Sequence, residues 1–408
     1  IKSSGFGKLA CFTVGAATPV ATTGNASAAA SAGGAISIVY TVDRPFLTGG
    51  AMAGSNLFSG SDVIPGGAIK GTLATALRDA GPVSPEMEAL LADMVVGHAF
   101  PRSAARKEPA RLPLPLSLAV TNDSAWGYDW LTADADAPPP RIGGRLQGLR
   151  FAPDFKVGDE QHLRRLLGFG AADPGRDVRT RTAIDADTGA AAFDGDAGQL
   201  FSYSSVESHG FEWLGRLVLP DGAAPALAAR VLDLLAVGVV GFGKTGAIIR
   251  GRVAGSSEMR EGAASDPLAL TLVTPAALND VDALRDGRSL REDYAAYWTA
   301  LGYDLLNVFA MQRLEGGYVA LRYPPRAGRC EPYLLTEPGS AFLVRARDGA
   351  EPIETLLTNG LPPTPWIERP DWRNCPFLPQ NGYGEIRRDL IDHAALAGGI
   401  RLDAEAAA

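Results

Sequence analysis

The stretch Ala35–Asp43 (AISIVYTVD) is almost unbroken in β-branched and aromatic residues and predicts a strand. A Gly/Ser-rich loop, Thr48–Asp62, separates it from Val63-Ile64-Pro65-Gly66-Gly67-Ala68-Ile69-Lys70-Gly71, after which helical spacing runs to about Asp79. Ser84–Val96 predicts a second helix, and Ala99–Pro140, rich in proline, predicts irregular loops. Strand character returns at Gly210–Leu219. Ala223–Ala236 is helical, with Leu227, Val231, Leu234 and Leu235 on one side. The Gly-rich loop Gly238–Gly246 and a strand, Ala247–Val253, follow. Further on, a strand at Leu268–Val273, one helix over Val281–Leu301, and strands including Tyr318–Tyr323 and Ala341–Val344 are expected.

This order of elements predicts an α+β protein: a ferredoxin-like (RNA-recognition-like) core with a large insertion, then a second, more β-rich subdomain. The expected divisions are 1–34, 35–255 (core with an inserted arm) and 256–408. Residues Ala16–Gly34 are nearly all Ala, Gly, Ser and Thr and read as a linker. Before it, Gly-Phe-Gly-Lys at Gly5–Lys8 repeats at Gly241–Lys244. Ile1–Val14 is therefore either the end of a preceding similar domain or a chance match in a Gly-rich protein.

Composition narrows the function. The 408 residues are 46% hydrophobic and 21% charged, enough for a true core, and no run approaches the ~18 apolar residues of a membrane span. The three cysteines, Cys11, Cys330 and Cys375, are scattered, and the four histidines show no metal spacing; no metal site and a reducing cytoplasm are expected. A net charge of −8 speaks against a generic salt-driven nucleic-acid binder, yet 141–181 carries nine basic residues against five acidic.

Four segments carry candidate chemistry. Pro65-Gly66-Gly67 opens a helix, whose free N–H groups, with Lys70 in the first turn, suit a phosphate; a plain turn is the simpler alternative. Gly238–Thr245 matches G-x-x-x-x-G-K-T letter for letter, but helical spacing before it and strand character after it reverse the P-loop context. Its glycines still allow main-chain N–H groups close to a phosphate. Arg179-Thr-Arg181-Thr-Ala-Ile184-Asp185 reads as a polar hairpin whose arginines grip phosphates while Ile184 meets a base, or equally as an exposed hairpin. Pro332–Ser340 and Cys375–Glu385 look structural, with Asn381-Gly382 a tight-turn signal.

In this order and spacing, Asp62–Gly71, Arg179–Asp185 with Gln199-Leu200-Phe201, and Gly238–Gly246 resemble the RAMP superfamily of CRISPR-associated proteins, most of all the subunit that caps the 5′ handle of the guide RNA in subtype III-D. The resemblance spans roughly Ile36–Val253 and continues more loosely through Pro332–Glu385. It implies guide RNA (crRNA) and complementary target RNA as partners, along with other RAMP subunits and the large signalling subunit of a type III complex. Lys70, Gly66, Gly67, Gly241, Gly243 and Lys244 become guide contacts, and Arg179, Arg181 and Ile184 an arm that wedges the guide–target duplex. Gly67 departs from the family's usual serine, which removes a hydroxyl contact. No cofactor is implied for binding. The family's cleaving members use an Asp before this motif, which places Asp62, with Mg, in an alternative endonuclease role; an Asp bonding its own turn is the simpler reading. A P-loop-like ATP-binding enzyme is the second alternative.

Overall fold

β1 (Ala35–Val42) is buried along nearly its whole length because both of its faces are covered. Ile36, Ile38, Tyr40 and Val42 pack in the largest core, whereas Val39 joins Phe100, Leu214 and Leu390 on the other side. Where both faces are covered the apolar run is continuous, Ile38-Val39-Tyr40, while the polar Ser37 and the exposed Thr41 flank it on the second face.

The computed structural model describes residues 35–49, 51–52, 57–106, 108–133, 141–142, 145–146, 148–182, 184–185, 187–191, 193–194, 197–198, 200–254, 266–315, 333–367, 370 and 375–402. The expected linker at 1–34 and the strand at Tyr318–Tyr323 lie outside them. After β1 come β2 (Ala51–Met52), β3 (Leu57–Ser59), α1 (Gly66–Asp79), α2 (Pro85–Asp93), β4 (Val95–Val96) and β5 (Phe100–Ser103). An insertion follows: β6 (Leu118–Thr121), β7 (Trp126–Asp129), β8 (Arg141–Ile142), β9 (Arg145–Leu146), β10 (Leu149–Phe151), α3 (Val157–Leu166), β11 (Arg176–Thr182), β12 (Phe193–Asp194), β13 (Ala197–Gly198) and β14 (Leu200–Val206). β15 (Phe211–Val218), α4 (Pro225–Val237), β16 (Val239–Phe242) and β17 (Ala247–Val253) complete the first half.

The central sheet runs β16–β17–β1–β15–β4, with β5 also on β15, and all its pairings are antiparallel. Chain order is thus strand, helices, strand, strand, helix, strand, with the first strand between the third and the last. α1 buries Ile69, Leu73 and Leu77, and α4 buries Val231, Leu232 and Leu235, all in the largest core. α2 starts where Ser84 accepts the Met87 N–H, with Pro85 in its first turn.

The second half has β18 (Leu268–Leu272), α5 (Val281–Arg285), α6 (Leu290–Ala300), β19 (Tyr303–Phe309), β20 (Gln312–Glu315), β21 (Tyr333–Thr336), β22 (Ala341–Ala346), α7 (Ile353–Asn359), β23 (Ile386–Arg388), α8 (His393–Ala397) and β24 (Ile400–Arg401). Its sheet, β19–β22–β18–β23, is antiparallel and follows the same path: the first strand again sits between the third and the last. Trp298, Tyr294, Tyr297 and Phe342 fill its separate core.

Two expectations are corrected. The stretch Ala99–Pro140 is not all loop. It contains β5, which pairs with β15, and β6–β7, which join β10 and β24 in a four-stranded sheet; strands this short give too few alternations to stand out between prolines. The helix expected over Val281–Leu301 is two helices. Gly287 turns at φ +102°, and Ser289 restarts the chain with a reciprocal Ser289–Glu292 capping box.

The halves are joined by the turn Cys375–Glu385. A Cβ on Gly382 would lie 2.7 Å from the Val96 carbonyl, so only glycine fits. Glu385, 2% exposed, meets Arg216 (3.2 Å) and Arg387 (2.5 Å), and Tyr383 lies edge-on to His98 at 4.9 Å. Burial pushes the His98 imidazole down to about 4. Burial opposes ionisation of Glu385 too, but Arg216, Arg387 and His98 together hold its carboxyl below the usual range. Both shifts have one sign for stability. The unfolded chain takes up the His98 proton near 6.5, and the folded chain resists it until about 4, so stability falls as pH drops through that window. Urea midpoints at pH 7, 6 and 5 are expected to decline, and His98→Phe, which keeps a ring against Tyr383, should flatten that decline.

Candidate nucleic-acid interface

The Gly-rich segment is a hairpin. β16 and β17 are antiparallel, with a bulge between Val240 and Phe242, and the chain reverses over Gly243–Gly246. Gly241 (φ +93°), Gly243 (φ +63°) and Gly246 (φ +63°) occupy the left-handed region, where a side chain is strained. The Gly246 turn leads into β17, a strand. A P-loop needs a helix start there, so the ATP reading finds no support in this geometry.

Gly243 packs against backbone: an added Cβ would meet the Leu47 carbonyl at 2.8 Å. The Lys244 N–H donates to that same carbonyl at 3.0 Å. The turn is therefore fixed to the loop after β1 and presents Lys244 outward. Gly243→Ala is expected to cost about 1–2 kcal/mol from positive φ plus the clash. Gly241→Ala, with nothing within 4 Å of its Cβ position, should cost less; thermal melts of the two variants check this.

Lys244 reaches the arm. β11 and β14 form a hairpin paired Arg179↔Tyr203 and Arg181↔Phe201, and β3 runs parallel beside β14 with Phe58 opposite Tyr203. Residues directly opposite share a face of a sheet, so one face carries Arg179, Arg181, Phe201, Tyr203 and Phe58. The Lys244 ammonium sits 4.2 Å from the Phe58 ring centre and 5.5 Å from that of Tyr203. The Arg181 guanidinium is 5.9 Å from the Tyr203 ring. Phe58–Tyr203 (5.8 Å) and Phe201–Tyr203 (5.3 Å) are ring contacts. Arg179 is exposed and bonds Asp177 at 2.6 Å; Ile184, at the tip, is 64% exposed and bridges to Ala191. The arm is rooted in the core where Phe46 and Val206 exchange backbone hydrogen bonds.

The segment at the start of α1 is differently employed. The Lys70 ammonium donates to the carbonyls of Ala92 (2.9 Å), Met94 (3.0 Å) and Gln380 (3.3 Å), and burial pushes it down to about 8. Its three hydrogens are thus committed to closing α2 and holding the Cys375–Glu385 turn. Gly66 is buried, and a Cβ there would overlap the Val96 carbonyl at 1.8 Å; Gly67 faces Asn381. Gly66 therefore serves close packing. The two Gly motifs still share one loop: Gly49 abuts Pro65, two residues beyond the Leu47 carbonyl that anchors Lys244.

Asp62 stands at the root of the arm. Its carboxylate pairs with Arg176 at 2.5 Å, and its carbonyl accepts from the Trp213 indole at 2.8 Å. Burial raises its carboxyl above the ordinary value, against the pull of Arg176 and Arg111. Arg176 also bonds the Gly60 carbonyl, so Asp62 ties the loop before α1 to the first strand of the arm. Among the described residues no three His, Cys, Asp or Glu side chains group as a metal site, and no helix is long and apolar enough to cross a membrane.

The structure thus brings Gly241, Gly243, Lys244, Arg179 and Arg181 to one area and leaves Gly66, Gly67 and Lys70 packed against the second half. Phe58 and Tyr203 were missed by sequence reasoning, which noted Phe201 only within the segment Gln199-Leu200-Phe201 and gave its ring no role. The alternation in Leu200–Val206 (LFSYSSV) was the available signal for Phe201 and Tyr203.

No family model matches this chain, and no curated protein matches it. Among solved structures, a chain of the type III-B Cmr-beta complex bound to cognate target RNA and AMPPnP is 12% identical over 75% of this chain and 86% of that one, with a TM-score of 0.39. A chain of the Csm3-Csm4 subcomplex of the type III-A CRISPR-Cas interference complex is 8% identical over 76% and 94%, TM-score 0.34. A chain of a type IV-B CRISPR complex is 9% identical over 57% and 94%, TM-score 0.28.

Proposed function

We propose that this chain is a non-catalytic RNA-binding subunit of a type III CRISPR ribonucleoprotein, a RAMP-type protein with a ferredoxin-like core that holds guide RNA at its 5′ handle. One observation carries the reading. A glycine-dense turn and a protruding hairpin, far apart in sequence, place Lys244, Arg181 and Arg179 around one area, in a chain whose net charge is −8. Cations concentrated against an acidic background suit a ribose-phosphate chain. The strand path β4/β5–β15–β1–β17 supports the ferredoxin-like core, and its recurrence in the second half supports a second RAMP-like unit there. The motif order Asp62–Gly71, Arg179–Asp185 and Gly238–Gly246 supports the type III assignment. Other RAMP subunits, the large signalling subunit and target RNA are its expected partners.

The test is the nucleic acid that copurifies with the full-length protein, read by length and 5′ end. Short RNAs with one shared 5′ sequence support the proposal; heterogeneous fragments, or none, overturn it. A second reading, target-RNA cleavage through Asp62 with Mg, draws on the raised carboxyl. Its engagement by Arg176 favours a structural role. Asp62→Ala in the assembled complex is expected to leave target cleavage unchanged and to loosen the arm; abolished cleavage in a complex that still assembles would restore the enzyme reading.

A further inference from the structure

Three aromatic rings stand in contact outside every hydrophobic core of the described residues: Phe58, Phe201 and Tyr203. Each is half-buried, on a hairpin face whose outer strand is exposed. Rings placed there contribute little to the cores and leave apolar surface open to water, so they need another reason to be there. Their neighbours are cations: Lys244 over Phe58 and Tyr203, and Arg181 beside Tyr203. The ammonium is on a long exposed side chain, free to swing by rotation about its stem.

We propose that Phe58 and Tyr203 form a stacking platform for an unpaired nucleobase, with Lys244 as the exchangeable cover of that platform. This rests on the RNA-binding reading above and names the part of the RNA that reading leaves open. In the free protein the ammonium occupies the π-face of Phe58. When RNA arrives, the ammonium moves to the phosphate, where the charge interaction is stronger, and the base takes its place on the rings. Stacking needs only a π-face, so any of the four bases is accepted, and the base must be single-stranded because a paired base has no open face to give. The charge fits one occupant: rings alone suit any apolar partner, but rings under one lysine and flanked by Arg179 and Arg181 suit a base on a ribose-phosphate chain.

The test uses the full-length protein, a fluorescent single-stranded RNA, and the same strand with abasic nucleotides replacing its central bases. Wild type is expected to bind the abasic strand at least tenfold more weakly. Phe58→Leu/Tyr203→Leu keeps apolar volume and removes both rings; it should bind the two strands alike, with its salt dependence unchanged. Tyr203→Phe keeps the ring and should restore the preference for intact bases that the double leucine variant loses. Lys244→Ala should show the reverse split, a shallower salt dependence with the preference for intact bases retained. Circular dichroism melts confirm that each variant is folded. Equal binding of the two strands by wild type, or full preference in the double leucine variant, overturns the platform while leaving the RNA reading standing. Binding of neither strand by wild type overturns both.

Discussion

Glu385→Ala is expected to destabilise the protein by about 3–5 kcal/mol, a large share of the roughly 5–15 kcal/mol typical of a domain. The carboxylate is 2% exposed and lies between Arg216, 3.2 Å away on β15, and Arg387, 2.5 Å away on β23. Removing it takes the shared carboxylate from two guanidiniums in a buried space, and the burial of positive charge without that carboxylate, rather than the lost attraction, is the larger penalty. Arg216 also donates to the Leu357 carbonyl at 2.6 Å, so the damage extends across the junction of the halves. Removing the charges together should cost less than removing one. Arg216→Met/Glu385→Leu/Arg387→Met is expected to be clearly more stable than Glu385→Ala, despite losing the bond to Leu357. Urea unfolding of the variants decides; a single-variant loss below about 1 kcal/mol means that water reaches the pair and the junction is open.

How much of this was legible in the sequence depends on the distance over which each feature is determined. β1, α1, α4 and β17 were readable because their patterns are local: a run of β-branched residues, or apolar residues on a 3.6-residue period. The break between α5 and α6 was also local, at Gly287 and the Ser289 box, but continuous apolar spacing on both sides hid it. Lys70 shows the opposite case. Its sequence neighbourhood, a glycine pair opening a helix, is that of a phosphate site, and what decides its role is three carbonyls that lie 22, 24 and 310 residues away. No local pattern carries that information. The platform residues Phe58 and Tyr203 meet only through the parallel register of β3 against β14, and a parallel pairing leaves no turn signature between its strands. The Gly-rich loop fared better, because the strand character of Ala247–Val253 alone was enough to deny it a helix.

The contrast between Lys70 and Lys244 gives the second large expected effect. A cation that meets a phosphate releases counterions, so each such contact on a single strand steepens the fall of log K with log salt by about 0.7. Lys244→Ala/Arg181→Ala is therefore expected to flatten that slope by about 1.4 and to weaken RNA binding about 25-fold at 0.1 M salt. The fold itself should barely respond, because both side chains are exposed and neither belongs to a core. Lys70→Met should do the reverse. It leaves the carbonyls of Ala92, Met94 and Gln380 without their donor, so it should lower the melting temperature and loosen the Cys375–Glu385 turn while keeping the wild-type slope. Binding isotherms at four salt concentrations, beside thermal melts, separate the two lysines. A slope unchanged by the loss of Lys244 and Arg181, or one flattened by the loss of Lys70, would move the RNA path away from the arm and back to the start of α1.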